Sequence, residues 1–116
     1  MKIIRLVVMS IVLGIFAVTS FAADKQSAET VVIDVRTEAE WNEGHLEGAV
    51  LIPHDKIEEG ITAVAPEKNT KIYLYCRSGR RTVLALEALK KAGYQELISL
   101  DTLENAAKVL QKPIVK

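Results

Sequence analysis

The sequence predicts an α/β protein in which a parallel sheet is covered by helices on both faces. Short runs rich in β-branched and aliphatic residues alternate along the chain with segments in which apolar residues recur at helical spacing. Signals for helix starts and stops stand between the runs. Strands that alternate with helices favour parallel pairing through right-handed connections. We therefore expect one small domain of this class.

The first predicted elements are two strands on either side of a short helix. Residues 31–35 are a β-rich apolar run and form the first strand. Thr37 and Glu40 have the spacing of a capping box, which predicts a helix start, and that helix ends at Gly44. The run 48–53 is the second strand, and the proline at its end stops it.

The remaining elements continue the same alternation. Asp55 is expected to cap a helix that extends to about residue 64. The apolar run 72–75 is a buried strand, and a helix follows Gly79 and ends by Gly93, a residue suited to a left-handed stop. The last two elements are a strand at 96–100 and a helix from Asp101, its expected N-cap, to about Gln111.

The first 22 residues have the pattern of a secretory signal peptide. Lys2 and Arg5 precede an apolar run at 6–18, which is too short to span a bilayer comfortably, and small residues follow it. We expect cleavage after residue 22, a flexible lead-in at 23–30 and the domain at 31–116. The mature protein is then expected in the periplasm, without stable membrane association.

Composition and cysteine usage exclude several classes of function. The 94 residues that follow the predicted signal carry 13 basic and 15 acidic side chains, a net charge of −2 that gives no general nucleic-acid footprint. A single cysteine excludes an internal disulfide and a C-x-x-C dithiol. No Cys/His cluster has the spacing of a metal site. We expect a monomer without metal or cofactor that acts on small molecules.

The one cysteine lies where a buried strand gives way to a helix, in the stretch IYLYCRSGRR at 72–81. Ligand sites in parallel α/β sheets lie beyond the carboxyl ends of the strands, and a helix N-terminus there favours an anion. Between Lys68 and Leu86 the chain has five basic residues and no acidic one. Cations and a helix N-terminus favour thiolate, the nucleophilic form of cysteine. We therefore predict that Cys76 is a nucleophile rather than a small core residue.

Three blocks of sequence resemble the rhodanese family in its single-domain form, and the likeness extends over the chain from residue 31 on. The blocks are DVR at 34–36 followed by EW at 40–41, GHLEGA at 44–49 leading to IP at 52–53, and CRSGRR at 76–81. The short chain with its export signal is most similar to the small periplasmic rhodaneses of the phage-shock type. One segment departs from the pattern: LDTLE at 100–104 stands where the family often has a glycine pair and an aromatic residue beside the active site.

The resemblance implies a thiosulfate sulfurtransferase. In such an enzyme the thiolate of Cys76 would attack the outer sulfur of thiosulfate, sulfite would leave, and a persulfide would remain on the cysteine. An acceptor such as cyanide or a thiol would then remove the sulfur. The alternative from another class is a carrier or anion-binding module that holds a persulfide without turnover.

The same resemblance assigns substrate binding to the loop after the cysteine, at Arg77, Ser78, Gly79, Arg80 and Arg81. Arg77 and one of the two later arginines can pair with the sulfonate oxygens, and the spacing leaves open which of the two does so. Asp34 either borders the active site or caps a turn at a strand end. We expect Arg36 and Glu40 to form a structural ion pair.

Loop length argues against a cysteine phosphatase or arsenate-type enzyme. Those enzymes carry C-x5-R, with the arginine six residues after the cysteine. Here that position is Thr82, and the last arginine of the loop is Arg81. The shorter loop is typical of the sulfur-transfer members.

Overall fold

A computed structural model describes residues 30–116 of the chain. The predicted signal peptide and all but the last residue of the predicted lead-in lie outside the described residues. In chain order the elements are β1 (Thr30–Asp34), α1 (Glu38–Glu43), β2 (His45–Leu46), β3 (Val50–Leu51), a 3-10 helix (His54–Lys56), α2 (Ile57–Val64), β4 (Lys71–Cys76), α3 (Arg80–Lys91), β5 (Glu96–Thr102), α4 (Leu103–Leu110) and β6 (Ile114–Val115). Among residues 30–116, no helix combines the length and apolar character that a membrane crossing requires.

Four parallel strands form the central sheet in the order β3-β1-β4-β5. Ile33 of β1 lies between Val50 of β3 and Leu74 of β4. The register between β4 and β5 shifts after Leu74, so that Cys76 lies opposite Thr102. Because the strands are parallel, their carboxyl ends meet at one edge of the sheet, and Cys76 lies at that edge.

Helices cover both faces of the sheet, as the sequence predicts. On one face Ile61 of α2 and Leu89 of α3 are buried against Leu74. On the other face Leu103 of α4 is buried against Tyr75. Adjacent strand residues point to opposite faces, which is why neighbours in β4 belong to different clusters. Each fully buried side chain of this size contributes about 1.5–3 kcal/mol.

Two local predictions are wrong, and one strand pairing was missed. Asp55 caps no helix: the amide of Lys56 closes a 3-10 turn onto the carbonyl of Pro53 at 2.8 Å, and α2 begins after that turn without a side-chain cap. Asp101 is not the cap of α4 either, because β5 extends through it and the Thr102 hydroxyl accepts from the Asn105 amide at 3.1 Å instead. The antiparallel pair of β2 and β6 was not predicted.

Candidate active site

Cys76 is the last residue of β4 and lies at the base of a cleft. Its side chain is fully buried, and the backbone amide of Gly79 donates to its sulfur at 2.8 Å. The next helix, α3, begins at Arg80, so the sulfur lies close to the positive end of that helix. Both features stabilise negative charge on sulfur.

The loop between Cys76 and α3 is held by a chain of hydroxyl groups. Gly79 has φ +90°, a conformation in which glycine avoids the steric cost that other residues meet. Its carbonyl accepts from the Thr82 hydroxyl at 2.6 Å, and the Ser99 hydroxyl of β5 donates to Thr82 at 3.3 Å. Asp101, also at positive φ (64°), donates its amide to Ser99 at 3.2 Å. Hydrogen bonds that begin at Ser99 of β5 therefore hold the backbone of the loop in place.

Glu40 of α1 contacts two of the loop arginines. Its carboxylate accepts from both terminal nitrogens of Arg81, at 2.9 and 3.1 Å, and lies 3.4 Å from Arg77. The hydrogen bonds from Arg81, aided by the Thr37 amide and hydroxyl, hold the pKa of Glu40 well below its ordinary value despite burial. The same hydrogen bonds to Glu40 raise the pKa of Arg81. Arg81 therefore braces the loop against α1.

The other two arginines of the loop are exposed. Arg80 points to solvent, and the side chain of Arg77 is 73% exposed although it also lines the cleft. Neither Arg80 nor Arg81 lines the cleft. Of the three candidates for pairing with a sulfonate, Arg77 is the one that lines the cleft together with Cys76, and most of its side chain is exposed.

Asp34 and Arg36 form a buried ion pair next to the cleft. Asp34 is fully buried and accepts from Arg36 through the side chain, at 2.7 and 2.9 Å, and through the backbone amide, at 2.9 Å. Arg36 also donates to the carbonyl of Gly44 at 2.7 Å. Burial opposes the charge of Arg36, but its hydrogen bonds to Asp34 raise its pKa overall. The expected ion pair between Arg36 and Glu40 is wrong, because each has a different partner.

The cleft has a volume of about 320 Å³ and is built from four separated parts of the chain. Its lining residues are Arg36, Glu40, Glu43, Gly44, Cys76, Arg77, Leu103, Glu104 and Ile114. Asp34 is not among them and borders the cleft only through Arg36. The sequence reasoning missed Glu43 and Ile114, whose spacing gives no signal. The departure noted at 100–104 does supply part of one wall.

The residues that the structure describes contain no group of three or more His, Cys, Asp or Glu side chains that could hold a metal ion. The cleft offers a thiol, a backbone amide on its sulfur and charged side chains. A buried thiol with an amide on its sulfur and an exposed guanidinium in the same cleft is suited to attack a small anionic electrophile.

Comparison with known proteins identifies the family. The rhodanese-like domain family model matches residues 17–102. Thiosulfate sulfurtransferase PspE of Escherichia coli (strain K12) is 31% identical over 93 residues, which cover 80% of this chain and 84% of that protein. A solved rhodanese with anions from E. coli has a TM-score of 0.69 and 32% identity, and covers 75% of this chain and 98% of its own. The chain belongs to the rhodanese family.

Relatives named for another reaction also share this region. A tRNA uridine(34) hydroxylase of Protochlamydia amoebophila is 37% identical over 78 residues, which are 61% of this chain but only 24% of that protein. Membership of the rhodanese family supports sulfurtransferase activity. The family match and the similar solved structure confirm the resemblance and the fold class predicted from the sequence.

Proposed function

We propose that the protein is a thiosulfate sulfurtransferase that works through a persulfide on Cys76. The observation that carries the proposal is the position of this thiol at the base of a cleft, with the Gly79 amide on its sulfur and Arg77 at its side. The similarity to a thiosulfate sulfurtransferase over most of both chains supports thiosulfate as the sulfur donor.

The proposed reaction has two steps. In the first, the thiolate of Cys76 attacks the outer sulfur of thiosulfate; a sulfur–sulfur bond forms, the bond to the sulfonate breaks, and sulfite leaves with the electron pair. In the second, cyanide or a thiolate attacks the outer sulfur of the persulfide, and the Cys76 thiolate is released. The Gly79 amide is placed to stabilise the sulfur anion in both steps, as an oxyanion-hole donor does.

Arg77 has the role of binding the sulfonate in this scheme. It lines the cleft, and its 73% exposed side chain can move from Glu40 onto a substrate anion. Arg81 instead holds the loop to Glu40, while Ser78 and Arg80 lie on the exposed side of the loop. The proposed catalytic residue is thus Cys76, with Arg77 binding substrate and Gly79 contributing its amide.

The position of Thr82 argues against phosphatase chemistry. A cysteine phosphatase needs an arginine at this position to hold the phosphate. Here the Thr82 side chain is buried and donates to the carbonyl of Gly79 at 2.6 Å, so it fixes the backbone of the loop instead. The loop therefore has no phosphate-binding arginine at its end.

Thiocyanate formation from thiosulfate and cyanide tests the proposal. We expect turnover by the purified domain, and mass spectrometry after thiosulfate alone should show one added sulfur atom on Cys76. Cys76→Ser should lose both signals while keeping its circular dichroism spectrum. A wild-type protein that gains the sulfur atom but makes no thiocyanate would be a carrier module, and one that does neither would refute the proposal.

The proposed location is the periplasm, and the proposed oligomeric state is a monomer. The support for export is the pattern of the first 22 residues, in which a basic start, an apolar run and small residues follow one another. N-terminal sequencing of the protein from a periplasmic extract should begin at about Ala23. An intact N-terminus in the membrane fraction would refute export with cleavage.

A further inference from the structure

The arginines of the cleft are already matched by carboxylates. Arg36 makes its ion pair with Asp34, at 2.7 Å, and uses a further hydrogen bond on the Gly44 carbonyl. Arg77 contacts Glu40, whose carboxylate also accepts from Arg81 outside the cleft. A substrate anion that enters the cleft must therefore compete with Glu40 for the guanidinium of Arg77.

Two further carboxylates line the cleft without a cation of their own. Glu43 comes from α1 and Glu104 from the first turn of α4, and both side chains are exposed. Within residues 30–116 neither forms an ion pair or a side-chain hydrogen bond. The mouth of the cleft consequently carries an excess of negative charge, although the loop after the cysteine is basic in sequence.

Burial of the thiol determines where this charge acts. Cys76 is fully buried at the base of the cleft, so an acceptor thiol must enter with its sulfur first. The rest of the acceptor then lies further out, where Glu43 and Glu104 line the cleft. The charge of the acceptor's tail, more than that of its sulfur, is exposed to these two side chains.

On the basis of the proposed sulfurtransferase function, we propose that Glu43 and Glu104 make this enzyme selective for thiol acceptors with a positively charged tail. In the transfer step, the acceptor thiolate attacks the outer sulfur of the protonated persulfide on Cys76. The new persulfide leaves on the acceptor, and the Cys76 thiolate is regenerated, without any external oxidant or reductant. The two glutamates do not touch the reacting atoms; they set which acceptor is drawn into the cleft.

Coulomb's law sets the size of the effect. If a carboxylate and the cationic tail of an acceptor are about 7 Å apart in water, their attraction raises the transfer rate about threefold at low ionic strength. The two together should favour a cationic over a neutral acceptor by about sevenfold. Because the side chains are exposed, salt should remove most of this preference once the Debye length falls to about 3 Å at 1 M.

The test compares three small thiols of similar size on enzyme whose Cys76 already carries the persulfide. Cysteamine has a cationic tail, 2-mercaptoethanol a neutral one and mercaptoacetate an anionic one. Loss of the sulfur atom is followed by mass spectrometry for the wild type and for the double variant Glu43→Gln/Glu104→Gln. Intrinsic differences among the thiols cancel, since the same three reagents are used on both proteins.

In the double variant we expect the ratio of the cysteamine rate to the 2-mercaptoethanol rate to fall about sevenfold. The ratio of the mercaptoacetate rate to the 2-mercaptoethanol rate should rise. Both changes should nearly vanish in 1 M salt. Glu58→Gln, an exposed glutamate of α2 that does not line the cleft, is the matched control and should keep the wild-type ratios. Unchanged ratios in the double variant, or the same shift in the control, would overturn the proposal.

Failure of the selectivity can be distinguished from failure of the proposed function. If thiosulfate leaves no sulfur on Cys76, the thiosulfate reaction itself is refuted. The persulfide is then made with inorganic polysulfide, and the same three acceptors still test the role of the two glutamates. If the persulfide forms from thiosulfate but all three thiols respond equally to the substitutions, the sulfurtransferase stands and the selectivity is refuted.

Discussion

Replacing Glu40 by alanine tests how much the contact between α1 and the cysteine loop stabilises the domain. The substitution removes two charge-assisted hydrogen bonds from Arg81, the contact with Arg77 and the side-chain half of the capping box with Thr37. The side chain of Glu40 is only 15% exposed and that of Arg81 24%, so the pair is worth more than an ordinary surface ion pair.

The expected loss in the free energy of unfolding is about 3 kcal/mol at pH 7. The paired hydrogen bonds contribute about 2 kcal/mol, reduced from the fully buried value because water reaches Arg81. Loss of the hydrogen bond from the Thr37 amide to the Glu40 carboxylate, with the Thr37 cap itself retained, adds about 1 kcal/mol. The exposed Glu43, on the same helix and without an ion pair among the described residues, is the control: Glu43→Ala should change stability by less than about 0.5 kcal/mol.

The effect should depend on pH in a defined direction. The pKa of Glu40 is lowered in the folded protein, so on acidification the unfolded chain takes up the proton first. The contribution of the ion pair is complete above about pH 4.3, the value for a free glutamate, and is lost as the pH falls toward the folded-state pKa. The difference between wild type and Glu40→Ala should therefore shrink between pH 7 and about pH 3.

Urea unfolding followed by circular dichroism at these two pH values measures both quantities. A loss at pH 7 no larger than that of Glu43→Ala would show that the contacts of Glu40 add little stability. A large loss that stays constant down to about pH 3 would refute the ionic origin and leave only the packing of the side chain.

Three other substitutions test the loop and its surroundings. Tyr75→Phe removes a buried hydroxyl that accepts a backbone amide at 3.0 Å, and urea unfolding should show a loss of about 1–3 kcal/mol; no loss would mean that the amide finds another acceptor. Gly79→Ala places a methyl group 3.0 Å from the Asp101 carboxylate, at a residue whose φ is +90°, so we expect urea unfolding to show a destabilisation of at least about 1–2 kcal/mol. The loss should be smaller when Asp101 is replaced by glycine, and strictly additive losses in the double variant would contradict the contact. Arg77→Ala should lower kcat/KM for thiosulfate by about 10- to 100-fold while alkylation of Cys76 by iodoacetamide persists, and parallel loss of both would show that Arg77 supports the loop instead of the substrate.

The main elements follow from the sequence because their signals are local. The run before Cys76, the capping box of Thr37 and Glu40, and the glycine stop at Gly93 each predict an element that the structure contains. The two-residue strands β2 and β6 have no such signal, since a pair this short shows no periodicity. Their pairing depends on a contact between residues about 70 positions apart, Leu46 and Ile114.

The start of α4 shows how tertiary contacts decide between adjacent candidates. Asp101 and Thr102 are both good N-cap residues, and propensity alone does not choose between them. In the fold, Asp101 packs its carboxylate against Gly79 and gives its amide to Ser99. Thr102 is then the residue whose hydroxyl is free to accept from the helix.

The composition of the candidate site was predicted only in part. The position of Cys76 and the basic loop after it follow from the sequence, because a strand end and a helix start meet there. The ion-pair partner of each arginine does not follow from the sequence. Arg36 folds back onto Asp34 two residues earlier, and Arg81 reaches Glu40 across 41 positions, a distance at which spacing along the chain predicts nothing.

The burial of Cys76 also limits which covalent partners the thiol can have. A disulfide requires two sulfur atoms about 2.05 Å apart and Cα atoms within about 7 Å. With its side chain fully buried below the cleft mouth, Cys76 of one molecule cannot come this close to Cys76 of another while both are folded. The fold thus protects a lone thiol from oxidative cross-linking and leaves it open to small molecules, so the protein can keep an unpaired cysteine even where oxidising conditions convert exposed thiols to dimers.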